Sequence, residues 1–198
     1  MKPFAALILA GGLSRRMGQL KPLLTIGGDT IADRLISTFQ TGGAEVYLVV
    51  GHRGEEIKSG IRSRTVTIVN NPDYASGMFS SVQAGTRALR PGYEAFFVMP
   101  VDMPLVSPLT IQTLMAAFAG HPGKIVYPVF GGKRGHPPLV PISLATVIAG
   151  WKREGNLKEV LRSYEHLAVE IAVPDEGILL DINTPDDYRL LLQRLGQG

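Results

Sequence analysis

Residues 4–24 read FAALILAGGLSRRMGQLKPLL, and the fold class turns on how the first seven of them end. Phe4 to Ala10 is an apolar run that reads as a buried first strand. It stops at Gly11-Gly12 and passes into a loop that carries Ser14, Arg15, Arg16, Gly18 and Lys21. Farther along the chain, short apolar runs of β-branched residues alternate with amphipathic stretches of helical spacing, which predicts a mainly parallel sheet with helices on both faces. The strands expected are Phe4 to Ala10, Glu45 to Val50, Val66 to Val69, Ala95 to Met99, Ile125 to Tyr127 and Ala168 to Val173. Ile31, Leu35, Ile36 and Phe39 form the apolar face of one helix. Ser81, Val82, Ala84, Gly85, Ala88 and Leu89 form that of another, whose small residues predict close packing. Thr110 to Phe118 and Pro185 to Leu195 are two more, the last opened by Thr184 as N-cap, Pro185 in the first turn and the acids Asp186 and Asp187.

Composition narrows the chemistry. The 198 residues contain no cysteine, which rules out a disulfide framework, a thiol nucleophile and a Cys-ligated cluster, and leaves oxygen and nitrogen groups to act. A chain of this length buries roughly 70% of its unfolded surface as one domain, and neither a repeat nor a linker divides it, so residues 1–198 are expected to form a single domain. Lys+Arg 20 against Asp+Glu 17 leaves a net charge of +3, too weak a balance for coating nucleic acid, although Arg15, Arg16 and Lys21 make a local basic cluster. The start resembles a signal peptide, but its apolar run is short, ends in Gly11-Gly12 and is followed by Arg15-Arg16. No apolar stretch approaches the roughly 20 residues needed to span a bilayer. The expectation is a cytoplasmic protein without a membrane or nucleic-acid partner.

In open α/β sheets ligands sit beyond the carboxyl ends of the strands, so the residues just after each strand are the informative ones. After the first strand come paired glycines and cations, a loop suited to phosphate because successive backbone N–H groups converge on an anion. Its spacing is neither the G-x-G-x-x-G of a dinucleotide fingerprint nor a P-loop, since Gly18 is followed by Gln19. After the fourth strand, MPVDMPLV (Met99 to Val106) places Asp102 at the crevice, where a carboxylate beside a phosphate loop suits Mg²⁺; capping of the Ser107-Pro108 turn is an equal alternative. LLDINTPDDY (Leu179 to Tyr188) sets Asp181 and Asn183 two apart on an extended segment, facing the same way, in competition with a plain helix start that needs no ligand.

Two more segments read as specificity elements. NNPDYASGMFSSV (Asn70 to Val82) has the hydroxyls and backbone donors of a base or ribose pocket, with Gly77, Met78 and Ser81 as its candidates; a turn at Asn71-Pro72 and an N-cap at Ser76 are the structural alternative. YPVFGGKRGHPPL (Tyr127 to Leu139) offers Lys133, Arg134 and His136 to an anionic acceptor, against a plain hairpin with a solvated Lys-Arg pair.

Taken in order, LAGGLSRRMGQLK, NPDYASGMFSSV, PVDMP, GGKRGHPPL and DINTPDDY resemble the small nucleotidyltransferases that act on the molybdenum cofactor, and within them the cytidylyltransferase branch. The resemblance spans nearly the whole chain. It implies a Rossmann-like three-layer α/β/α fold of the nucleotide-diphospho-sugar transferase type. It also implies transfer of a nucleoside monophosphate from a Mg²⁺-bound triphosphate to the terminal phosphate of the molybdenum-pterin cofactor, with a molybdoenzyme or its chaperone as receiver. In the family's pattern Leu9, Ala10, Gly11, Gly12, Ser14 and Arg15 hold the triphosphate, Lys21 assists, and Asp102 binds the metal. The second metal position, usually Asp in D-x-D-T-P, is Asn183 here, so Asp181 or the Asn183 oxygen has to serve. Ala10-Gly11-Gly12 stands where the cytidylyltransferases often have Ala-Ala-Gly, and this Gly-Gly form is also seen in the guanylyltransferase relatives, which leaves the base open; GHPP and the GMFSSV segment favour the cytidylyl branch and CTP, with GTP as the alternative. A transferase acting on a sugar phosphate or another phosphorylated acceptor keeps the same chemistry. A nucleotide-binding or cofactor-carrying module without turnover is the non-enzymatic reading.

Overall fold

The computed structural model describes residues 3–12, 17–152 and 155–196. In chain order the strands and helices are β1 (Phe4–Ala10), β2 (Thr25–Ile26), β3 (Asp29–Thr30), α1 (Ile31–Gly42), β4 (Glu45–Val50), α2 (Gly54–Gly60), β5 (Thr67–Asn70), α3 (Met78–Ala88), β6 (Ala95–Pro100), α4 (Pro108–Gly120), β7 (Ile125–Phe130), β8 (Lys133–Arg134), β9 (Leu139–Pro141), α5 (Ala145–Gly150), α6 (Leu157–Arg162), β10 (Ala168–Ala172) and α7 (Pro185–Arg194). The main sheet runs β10-β7-β9-β6-β1-β4-β5, with β8 paired to β7 outside that path, and β2 and β3 form a separate hairpin. β1 is parallel to both β4 and β6, β4 to β5 and β7 to β10, whereas β9 runs antiparallel between β6 and β7. Among the described residues no helix is long and apolar enough to cross a membrane.

The alternation of a strand explains why β1 carries no polar residue. Phe4, Ala6, Ile8 and Ala10 join one apolar cluster, and Ala5, Leu7 and Leu9 join another on the opposite face. A strand buried on both faces has no side left for water, so its sequence is a continuous apolar run. The first cluster is closed by α1 through Ile31, Leu35 and Phe39 and by α4 through Ile111 and Leu114; the second is closed by Val82 of α3, Ile148 of α5 and Val160 of α6. Burying each large side chain of this kind contributes about 1.5–3 kcal/mol relative to leaving it exposed. Helix starts are set by short polar side chains, Thr30 for α1, Ser107 for α4 and Thr184 for α7, each accepting from a backbone N–H three residues on.

Several expectations need adjustment. β5 begins at Thr67, β7 runs on to Phe130, and β9, α2, α5 and α6 were not anticipated. β9 is three residues long and bracketed by Pro137, Pro138 and Pro141, a pattern that argues against a strand. It survives because Leu139 and Val140 are fully buried between β6 and β7. The N-cap expected at Ser76 falls instead on Gly77, where φ is +100°, a conformation that a residue with a Cβ rarely adopts.

The expected close packing of the α3 face is present. A Cβ on Gly85 would stand 3.0 Å from Leu7 Cδ1 and 3.1 Å from Val49 Cγ2, so α3 rests directly on β1 and β4. Gly85→Leu is therefore expected to lower stability by about 1–3 kcal/mol through overpacking. A urea unfolding midpoint equal to wild type would contradict this packing.

Candidate active site

The order of the sheet reverses at β1, which leads to β4 on one side while β6 joins on the other. The loops leaving β1 and β6 therefore part around a crevice, the usual ligand position in such sheets. Val101 N donates to Leu9 O at 3.2 Å and holds the two loops in register. A cavity of about 350 Å³ opens there. It brings together Leu9, Ala10, Gly11 and Gly12 with Lys21, Gly77, Met78, Ser81, Asp102 and Asn183, all of them expected site residues. Pro22, Tyr74, Ala75, Pro100 and Val101 line it as well. These five carry no chemical signal of their own and are recognisable only as neighbours of residues that do. Ser14 and Arg15 lie outside the described residues.

Three side chains meet at the floor. Lys21, on a single 3-10 turn, donates from Nζ to Asp102 Oδ2 at 3.4 Å and to Asn183 Oδ1 at 3.2 Å. The Lys21 side chain is only 12% exposed and that of Asp102 20%, so the ammonium lies well inside the crevice. Capping of the turn at Ser107 is not the task of Asp102. Asp175 takes that place, accepting from Ser107 N at 2.9 Å and from Thr110 Oγ1 at 2.5 Å.

The segment with Asp181 and Asn183 is clipped on by Ile182 N, which donates to Asp102 O at 2.8 Å. Asn183 Nδ2 donates to Asp181 Oδ2, which leaves Asn183 Oδ1 toward Lys21. The helix start and the site are one device here rather than competing explanations. Asp187 Oδ2 accepts from Asn183 N at 2.9 Å and Thr184 N at 2.7 Å while Thr184 caps α7. Those backbone donors hold the Asp187 carboxyl below the usual carboxylate range.

Oxygens of Asp102 and Asn183 already converge on a cation, with Asp181 adjacent. That hard donor set fits Mg²⁺, which takes one or two carboxylates and completes its shell with phosphate and water. Among the described residues no three His, Cys, Asp or Glu side chains cluster as a metal site, so a metal held here would have to take the rest of its shell from phosphate or water oxygens.

On the opposite wall α3 starts at Gly77 without a side-chain cap, and Met78 is 59% exposed. An uncapped helix N-terminus favours an anion. Beneath it the buried Asn71 donates from Nδ2 to Ser80 Oγ at 2.9 Å and Ser81 Oγ at 3.0 Å. Ser81 packs so near the β1 loop that a Cβ on Gly11 would stand 2.9 Å from its Oγ.

His136 stands apart from this group and lines a neighbouring cavity. Its backbone N donates to Ile178 O at 2.9 Å, and a cis peptide bond joins it to Pro137. Burial pushes the imidazole below its ordinary pKa, against the opposing pull of Asp102 and Asp181, so the ring is neutral at pH 7. The segment before it is the plain hairpin, β7 to β8. Arg134 is not a solvated cation, since its guanidinium is paired with Glu165 and Glu170.

Comparison with known proteins gives a consistent picture. The profile of the MobA-like NTP transferase domain matches residues 6–168. The molybdenum cofactor cytidylyltransferase of Escherichia coli (strain K12) is 33% identical over 189 residues, which cover 95% of each chain. A molybdenum cofactor guanylyltransferase of Cereibacter sphaeroides (strain ATCC 17029 / ATH 2.4.9) is 31% identical over 91% of each. In structure, the Mycobacterium sp. strain JC1 homologue of Mycobacterium tuberculosis Rv0371c superposes with a TM-score of 0.85 at 22% identity, covering 99% of this chain and 98% of its own.

The Asp187 cap makes a testable statement about pH. Its carboxyl titrates lower in the folded chain than the ordinary value of about 3.9, so its stabilisation is complete above that value and is lost as pH falls through the folded one. Asp187→Asn is expected to lower the thermal midpoint at neutral pH, with the deficit against wild type shrinking below about pH 4. A deficit that stays constant through the acid range would contradict the cap.

Proposed function

The chain belongs to the MobA-like NTP transferase family, and on that premise we propose that it transfers CMP from CTP to the terminal phosphate of a molybdenum-pterin cofactor and releases pyrophosphate. The observation that carries this reading is the meeting of Lys21, Asp102 and Asn183 at 3.2–3.4 Å beside the Gly11-Gly12 loop. An acceptor phosphate oxygen attacks the α-phosphorus in line. The new P–O bond forms as the bond to the β-phosphate oxygen breaks, and the electron pair leaves with pyrophosphate. No covalent enzyme intermediate is needed, so this chain's part is positioning and charge neutralisation.

The glycine loop and the start of α3 present backbone donors to the triphosphate. Lys21 turns its ammonium from Asp102 toward the α-phosphate, offsetting charge that builds in the transition state. The neutral His136 orients the incoming acceptor phosphate without adding a competing charge. Mg²⁺, held by Asp102 with Asn183 or Asp181, would supply further neutralisation of the phosphate oxygens. Guanylyl transfer is the second reading, favoured by Ala10-Gly11-Gly12 and by the guanylyltransferase relatives.

Thermal unfolding with CTP, GTP, ATP and UTP, each with and without Mg²⁺, separates these readings. A ligand at 100 times its dissociation constant stabilises by about 2.7 kcal/mol. The expected result is a shift greatest with CTP and Mg²⁺; a greater shift with GTP would convert the assignment to guanylyl transfer. A folded sample that responds to none would overturn both.

Asp102→Ala is expected to abolish pyrophosphate release while leaving the circular dichroism spectrum intact, and near wild-type turnover would remove Asp102 from the metal site. Lys21→Ala is expected to lower kcat/KM by about 10²–10³-fold, the usual cost of losing one such charge-stabilising donor. An unchanged value would place Lys21 outside the reaction.

A further inference from the structure

A second cavity of about 490 Å³ is lined by His136 together with Tyr127, Arg134 and residues of α6. One wall is the Tyr127 ring, with the Arg134 guanidinium stacked 4.5 Å from its centroid. Ion pairs to Glu165 and Glu170 fix that guanidinium in place, so it serves as a flat plate rather than a cation awaiting a ligand. Leu157 and Leu161 of α6 give the facing wall an apolar floor. Lys158 and Arg162, one helical turn apart on α6, line the cavity and are exposed; Glu165 lines it too, with its carboxylate paired to Arg134 and within the field of Arg162. With Glu165 offset by Arg134, Lys158 and Arg162 leave the lining net cationic, and planar walls, an apolar side and that charge together describe a flat ring system that carries negative charge. The nucleotide does not need this space, because the first cavity already offers the glycine loop, the start of α3 and Asp102.

We propose that this second cavity holds the fused-ring, anionic body of the acceptor, between Tyr127 and the Leu157–Leu161 face of α6, with its phosphate reaching past His136 to Asp102. Lys158 and Arg162 meet the negative charge at the far end of the rings. The inference rests on the nucleotidyl-transfer reading and adds where the acceptor sits and which residues recognise it. It also accounts for the position of His136, which lines the second cavity while its imidazole feels the carboxylates of Asp102 and Asp181.

The test uses pterin-6-carboxylate, a stable fluorescent anion with the same fused ring and no phosphate to react. Its fluorescence anisotropy with the full chain is expected to rise, and Lys158→Glu/Arg162→Glu is expected to weaken that binding about tenfold, while Tyr127→Leu weakens it with the rim charges intact. The double variant changes only exposed side chains, and it should keep the wild-type thermal shift with CTP and Mg²⁺. Equal binding by wild type and the double variant, or no binding by wild type, overturns the cavity assignment even when the nucleotide shift is normal. Absence of any nucleotide shift overturns the transfer reading instead, and pterin binding lost only in the variants would then still assign the cavity to this class of ligand.

Discussion

The parallel pairing of β1 with both β4 and β6 is the constraint on which everything else rests. Ala10 is in register with Val50, and Leu9 with Pro100, so three strands end at the same level. Gly11, Gly51 and Val101 then emerge side by side. A Cβ on Gly51 would stand 2.5 Å from Tyr74 Cβ and 3.1 Å from Gly11 O, so Gly51 packs directly against both the β1 loop and Tyr74. A shift of the register by one residue would turn every side chain of β1 to the other face and separate the glycine loop from Asp102. β9 adds to this edge from the opposite direction. Because it runs antiparallel, its beginning lies where its neighbours end, and the chain entering it delivers His136 to the same side of the sheet.

The electrostatic design follows from this crowding. Asp102 and the neutral Asn183 both accept from the Lys21 ammonium, and Asn183 in turn donates to the exposed Asp181. In a partly buried crevice charges interact more strongly than at a free surface, so the Lys21 ammonium stabilises the Asp102 carboxylate beside it. Asp187 completes the design from behind by fixing the Asn183 and Thr184 backbone, which lets a helix cap determine the direction of a site residue.

Those parts of the fold that are dominated by local pattern were legible in the sequence. FAALILA and EVYLVV match β1 and β4 residue for residue, because strands buried on both faces leave no polar ambiguity. Thr184-Pro185 with two acids marked α7, and the capping box is present. What remained hidden depends on distant partners. β9 looks like a proline-rich loop until β6 and β7 close around it, and α5 and α6, six residues each, are too short for a periodic signal. Likewise LLDINTPDDY read as either a helix start or a metal segment, since nothing local reveals that Ile182 N bonds to the Asp102 carbonyl. Lys133-Arg134 read as either an anion-binding pair or a solvated one, and only the fold brings Glu165 and Glu170 to Arg134.

The separation between partners at the site also bears on when the site comes into being. Lys21 and Asn183 are 162 residues apart, and Tyr188, which donates to Thr25 O, is 163 residues from its acceptor. Contacts of such range carry the largest loop-closure cost and form after local ones in the course of folding. During synthesis the glycine loop, Lys21 and Asp102 leave the ribosome long before Asn183 exists to join them. A chain in which α7 has not docked therefore lacks Asn183 beside Lys21 and Asp102.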